Sequence, residues 1–253
     1  MDKPLFEKYA EDYACSRPGY PKEIKTFLFD HFSIDYSSTV IDIACGSGIF
    51  TQLLACEHQA GLVTGIDRSQ QLLGAGIRYY RDFCFEAICG CGETMPVKSN
   101  VCQLVTVAQG FHWLQRQRSL SEIARILRPG GGIALIWYRR KDLKEPHQVF
   151  IENLTHQYNP NYDSGMMDSD YVEMLHNDGR FVDIGQKRYY GSKTYDMETF
   201  LRWQRSKSFI GDAMEPDILD DFLSQVERGI SQFFPDGNIF EEFKYDLIWA
   251  RKQ

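Results

Sequence analysis

The sequence predicts an α/β fold, a mostly parallel sheet of seven strands flanked by helices, and three observations carry that prediction. Short apolar, β-branched runs alternate with amphipathic stretches between residues 39 and 138. The first of these runs opens through a glycine turn directly into a helical pattern. Two further strand-like segments, 181–191 and 240–252, remain beyond it to complete the sheet. Strands alternating with helices of this length imply βαβ units. Apolar strands with little alternation suit a sheet covered on both faces.

Taken in order, residues 1–38 contain Tyr9, Tyr13, Arg17 and Tyr20, too aromatic for a disordered leader. Residues 39–44 (TVIDIA) predict the first strand, and IFTQLLACEHQ after CGSG predicts a helix. LVTGID at 62–67 is the second strand, followed by the helical QQLLGAGIRYYRDF. FEAIC at 85–89, QLVTVA at 103–108 and GIALIWY at 132–138 supply three more. Between the last two, Leu120, Ile123 and Leu127 recur at helical spacing, and the pattern stops in Pro-Gly-Gly-Gly. Past Tyr138 the chain becomes polar and partly helical, with a loop-like NPNYDSGMMDSD at 159–170. Residues 139–180 and 195–235 are expected to form an inserted helical cap over a single domain, with 39–138 as its core.

Composition narrows the function. With 28 Lys+Arg against 35 Asp+Glu the chain carries a formal charge of −7, which argues against a nucleic-acid partner held by clustered cations. A 43% hydrophobic and 25% charged composition excludes a disordered or fibrous chain. No apolar run reaches the ~18 residues of a membrane span. The N-terminal residues have charges and prolines where a secretory signal needs an apolar stretch. Seven cysteines, an odd number, read as reduced thiols, so a cytoplasmic protein is expected. Cys89 and Cys91 lack a second pair at zinc-ligand spacing, so no metal is expected.

The strongest local signal is VIDIACGSG at 40–48. A strand ending in an acid and then Gly-x-Gly lets backbone approach a ligand at the carboxyl edge of the sheet. A dinucleotide fingerprint would require a third glycine, but Thr51 stands there, and no Walker-type Gly-Lys-Ser/Thr follows. A nicotinamide oxidoreductase is disfavoured on that ground. Asp67 ends the second strand about twenty residues past the glycines, where a carboxylate can accept from ribose hydroxyls. Glu93 lies in the loop after the third strand, and the fourth runs into VAQGFHWLQ.

VIDIACGSG, GIDRS, GETMPV, VAQGFHWL and ILRPGGGIALIWY resemble, in order, the motifs of class I S-adenosylmethionine-dependent methyltransferases. YACSRPGYP with AQGFHWL looks like the small-molecule subgroup that includes trans-aconitate methyltransferase. The resemblance is close over about residues 6–140. It implies a Rossmann-like fold and S-adenosylmethionine as cofactor. It also implies cofactor contacts at Tyr13, Arg17, Asp42, Ala44, Gly46, Gly48, Asp67, Arg68, Gly92, Glu93, Thr94, Gln109 and His112. The N-terminal segment is then expected to fold over the cofactor, with Arg17 able to hold its amino-acid carboxylate bidentately.

On the acceptor side, His112 could act as a general base toward a hydroxyl or amine. A carboxylate acceptor would need no base but would need cations, and Arg139, Arg140, Arg202 and Arg205 are the candidates. Tyr20, Trp113, Tyr138 and Trp203 are candidate pocket walls, whereas Trp137 reads as core and Cys45 as a small residue accommodated in the turn. The expected partner is a small-molecule acceptor, with neither nucleic acid nor membrane. The same cofactor motifs would suit a homologue that binds without methylating, as a regulatory partner subunit or a sulfonium-assisted rearrangement catalyst.

Overall fold

A computed structural model describes residues 6–82, 84–140, 145–162 and 170–253. Residues 141–144 of the expected cap and 163–169 of the expected loop lie outside the described residues. The strands are β1 (Thr39–Ile43), β2 (Leu62–Asp67), β3 (Glu86–Cys89), β4 (Cys102–Ala108), β5 (Leu127–Arg140), β6 (Phe181–Tyr195) and β7 (Ile239–Lys252). They form one sheet in the order β3-β2-β1-β4-β5-β7-β6. The first five are parallel, while β7 enters antiparallel between β5 and β6. This is the predicted Rossmann-like α/β architecture.

Nine α-helices are described: α1 (Ala10–Ser16), α2 (Lys22–His31), α3 (Ile49–Ala55), α4 (Gln70–Tyr79), α5 (Arg116–Ile126), α6 (Pro146–Tyr158), α7 (Tyr171–Asp178), α8 (Met197–Arg205) and α9 (Pro216–Phe233). Alternation along the strands places seven of them in two layers, while α1 and α4 share a smaller cluster of their own. Val40, Leu104, Ile136, Tyr138 and Tyr245 face α2, α3, α6, α8 and α9 in one apolar core. Ile41, Val105, Leu135 and Trp137 face α5 and α7 in the other. Nearly every residue of β1, β4 and central β5 is buried, as the unalternated apolar runs implied.

Three differences from the sequence reading have local causes. Strand β5 begins at Leu127 rather than 132, because Leu127 still pairs with Cys102 before Gly132 pairs with Leu104. The Pro-Gly-Gly turn therefore survives as a bulge inside the strand. Strand β6 continues to Tyr195, since its partner β7 offers an unbroken ladder as far as Ile239. The segment 139–180 also divides. Helix α6 packs on α9, whereas Tyr171 and Leu175 of α7 are buried in the opposite layer, with Tyr171 stacked 4.2 Å from Trp137. Among the described residues, no helix is long and apolar enough to cross a membrane, and no group of three or more His, Cys, Asp or Glu could hold a metal.

Candidate functional site

Strand order reverses between β1 and β4, and ligands of open α/β sheets bind at the carboxyl edge beside that switch. A cavity of about 430 Å³ lies there, within the range of small-ligand sites. Its floor is the glycine turn. Gly46 and Gly48 have φ of +59° and +81°, and a Cβ on Gly48 would lie 2.2 Å from the Phe85 ring. Ala44 and Gln109, at φ +53° and +57°, also occupy the left-handed region and also line the cavity. Strained non-glycine backbone of this kind concentrates at binding sites.

Asp67 joins the end of β2 to that turn. Its Oδ2 accepts from the Gly46 amide and its Oδ1 from the Ser69 amide, both at 2.8 Å. Burial raises its pKa, opposed by those two amides. Each oxygen can accept a further hydrogen bond, and the residue lines the cavity. Glu93 Oε1 accepts from the Gln115 amide at 2.8 Å and Oε2 from the Cys91 thiol at 2.6 Å. Burial pushes its carboxyl up, but these hydrogen bonds outweigh it and hold the group low. Gln109 donates to the Tyr138 carbonyl at 2.8 Å, leaving its buried Oε1 without a partner among the described residues. Phe6 roofs the cavity, its ring 5.6 Å from Tyr13 and 5.8 Å from Trp113.

Tyr13, Ala44, Gly46, Asp67, Arg68, Gly92, Glu93, Gln109 and Trp113 thus meet at one cavity. Residues 41–135, which supply most of its wall, match the family model of a methyltransferase domain. Over these residues the chain is similar to methyltransferase domains, in keeping with its resemblance to the class I S-adenosylmethionine-dependent methyltransferases. Two relatives come from Schizosaccharomyces pombe. An uncharacterized methyltransferase-like protein is 29% identical over 56% of this chain, a match spanning about half (54%) of the relative's length. An uncharacterized methyltransferase is 24% identical over 92% of this chain and 93% of its own. A solved structure from Anaeromyxobacter dehalogenans, proposed as a type II methyltransferase, shares the fold with a TM-score of 0.64, 17% identity and coverage of 94% and 97% of the two chains.

Several of the expected cofactor contacts lie elsewhere. Asp42 is wholly buried beneath the turn, its Oδ2 accepting from the Thr51 hydroxyl at 2.6 Å and its Oδ1 from Thr106 at 2.7 Å. Both oxygens face inward because Asp42 follows the alternation of β1, and burial lifts its pKa to about 7. Gly48 shapes the turn from behind, and Thr94 is exposed outside the cavity wall. Arg17 stacks 4.6 Å over Tyr13 and donates to Ser206 Oγ (2.9 Å), the Ser206 carbonyl (2.7 Å) and the Tyr138 hydroxyl (3.3 Å). Its Nε–Nη2 edge is therefore occupied, and a bidentate grip on a ligand through that edge would require breaking the Ser206 contacts.

His112 does not line the cavity. Burial, then the charge of Arg116, lowers its pKa to about 4, so the ring is neutral near pH 7 and weakly basic. Among the expected pocket walls, only Trp113 reaches the cavity. Tyr20 and Tyr138 pack edge-to-face in the core, 5.9 Å apart. Trp203 is buried, stacked 5.1 Å from Tyr195. Arg202 and Arg205 pair with Asp12, and Arg139 with Asp246. Sequence reasoning missed Phe6, Glu7 and Cys91, which line the cavity. The roof itself was foreshadowed by the aromatic content of the N-terminal segment and by the resemblance, which implies that this segment folds over the cofactor.

Proposed function

We propose that the protein transfers a methyl group from S-adenosylmethionine to a small-molecule acceptor, in keeping with its resemblance to the small-molecule subgroup that includes trans-aconitate methyltransferase. The observation that carries this reading is the convergence of the Gly46 turn, the buried Asp67 carboxylate and Glu93 on one cavity under an aromatic roof. That set fits a nucleoside. Asp67 offers lone pairs to ribose hydroxyls, Glu93 offers an anionic acceptor to an amine, and Gln109 Oε1 awaits a donor. When bound, the cofactor supplies an activated methyl on a sulfonium. The protein's own task is then orientation and exclusion of water, and positioning alone can contribute on the order of 7–11 kcal/mol. Tyr13 and Phe6 close the cavity from the N-terminal side. A small acceptor is supported by the helices α6, α8 and α9, which cover one face of the sheet over β5 and β7.

Calorimetric titration should show binding of S-adenosylmethionine or S-adenosylhomocysteine and none of NAD; NAD binding alone overturns the reading. A screen of metabolite carboxylates, phenols and amines for labelled-methyl transfer should then find an acceptor. Binding of the cofactor with no transfer to any member would favour a non-methylating homologue.

A further inference from the structure

The wall of the cofactor cavity carries a surplus of negative charge. Among the described residues, Glu7, Asp67 and Glu93 bring three carboxylates to it and Arg68 brings one guanidinium. The other titratable groups of the wall are uncharged near pH 7, since burial pushes the Tyr13 hydroxyl up to about 12 and raises the Cys91 thiol. Burial raises Asp67 as well, against the Ser69 and Gly46 amides and the Arg68 charge. With Asp67 left out, two carboxylates still face one guanidinium. Arg17 stacks behind Tyr13, outside the wall, and counting it leaves three carboxylates against two guanidiniums. Gln109 Oε1 is the one buried polar atom of the wall without a partner among the described residues. It is an acceptor, so hydrogen-bonding capacity adds no demand for an anion.

Glu7 differs from the other two acids. Asp67 accepts from an amide at each oxygen, and Glu93 accepts from the Gln115 amide and the Cys91 thiol. The half-buried Glu7 side chain makes no hydrogen bond or ion pair among the described residues. Its segment is held in place nonetheless, because the Phe6 amide donates to Asp212 Oδ2 at 2.8 Å and the Ala10 amide reaches the Glu7 carbonyl at 3.4 Å. The charge of Glu7 opposes that of Asp67, an unfavourable arrangement for an empty cavity that a cationic ligand relieves. A cleft lined by one sign of charge concentrates ligands of the opposite sign.

Resting on the methyl-transfer reading, we infer that this cavity selects the methylated, cationic cofactor over its demethylated product by charge, and that Glu7 sets the preference. S-adenosylmethionine is a net cation and S-adenosylhomocysteine is not, because the electrons of the broken carbon–sulfur bond return to sulfur when an acceptor's lone pair takes the methyl. Contacts to the nucleoside and the amino-acid end are common to both ligands and cancel in the ratio of their affinities. Attraction to a charge acts across several ångströms of a low-dielectric cavity, so Glu7 needs no direct contact with the sulfonium. Product then leaves more readily than substrate, and product inhibition is weak.

Calorimetric titration of the full chain should compare S-adenosylmethionine, sinefungin (which carries an ammonium where the sulfonium stands) and S-adenosylhomocysteine. Both cationic ligands should bind at least about tenfold more tightly than S-adenosylhomocysteine, well within the attraction of one charge pair at this range. Glu7→Gln should shrink that ratio at least about threefold by weakening the cations, with S-adenosylhomocysteine unchanged within about twofold, whereas Glu7→Asp should retain the ratio. Added salt should weaken the cations more than S-adenosylhomocysteine, and this measurement on the natural chain serves if Glu7→Gln fails to fold. S-adenosylhomocysteine binding as tightly as the cations, a ratio unmoved by Glu7→Gln, or an equal loss of all three ligands would overturn the inference, the last making Glu7 a contact common to all. Failure of all three to bind the natural chain would instead sink the cofactor reading on which it rests.

Discussion

Asp42 gives the most quantitative prediction, because its environment opposes its charge. The side chain is fully buried, and its only bonded partners among the described residues are the Thr51 and Thr106 hydroxyls. Burial raises its pKa from the ordinary 3.8 to about 7. The folded chain therefore keeps a proton that the unfolded chain releases, and stability falls as pH rises between those values. Each unit of that window corresponds to about 1.4 kcal/mol. From pH 5 to pH 8 the loss traceable to Asp42 is roughly 2–3 kcal/mol, levelling off above the folded-state value. Asp42→Asn keeps the shape and removes the titration. Urea unfolding of both proteins at pH 5, 6, 7 and 8, with unchanged m-values, isolates the effect because other titrations cancel in the difference. The variant should gain roughly 2–3 kcal/mol on the natural protein across that range. A difference independent of pH would refute the reasoning and show that the carboxylate is ionised throughout. Since Asp42 does not line the cavity, S-adenosylhomocysteine affinity should change little.

Other predictions address the site directly. Asp67→Ala should weaken S-adenosylhomocysteine binding by about 1–3 kcal/mol in calorimetry, and an unchanged affinity would remove the ribose assignment. His112→Gln should keep the single-turnover rate within a few-fold, and no ionisation of His112 should mark the rate between pH 6 and 8, because its ring is already neutral there. A large loss would return His112 to the chemistry. Gly48→Ala, at φ +81° and against the Phe85 ring, should destabilise the protein by about 2–4 kcal/mol in chemical unfolding. Phe6→Ala removes the roof over Tyr13 and Trp113, and should speed cofactor dissociation in stopped-flow measurements.

The order of elements was legible in the chain because each strand and helix is specified by its own neighbours. TVIDI and LVTGID became β1 and β2 almost to the residue, and LSEIARI closed into α5 where its apolar spacing placed it, whereas Leu127, expected on that helix, opens β5. The part of the site carried by a single turn was equally readable. Gly46, Asp67 and Glu93 meet because parallel strands deliver their carboxyl ends to one edge.

What sequence alone determined, then, is the alternating α/β order, the glycine turn and the acid that ties it to β2, all features set by local periodicity and backbone conformation. Only the tertiary structure decided where side chains distant in sequence turn. The local alternation of β1 turns Asp42 inward, but its partner there, Thr106, comes from β4, 64 residues away. Arg17 is engaged by Ser206 across 189 residues, and α7 joins the layer opposite α6. Lys207 follows an amphipathic helix, where a lysine reads as solvated, yet α6, β5 and β7 surround it with charge. Local patterns specify which residues share a face; what covers that face depends on contacts between segments far apart in the chain.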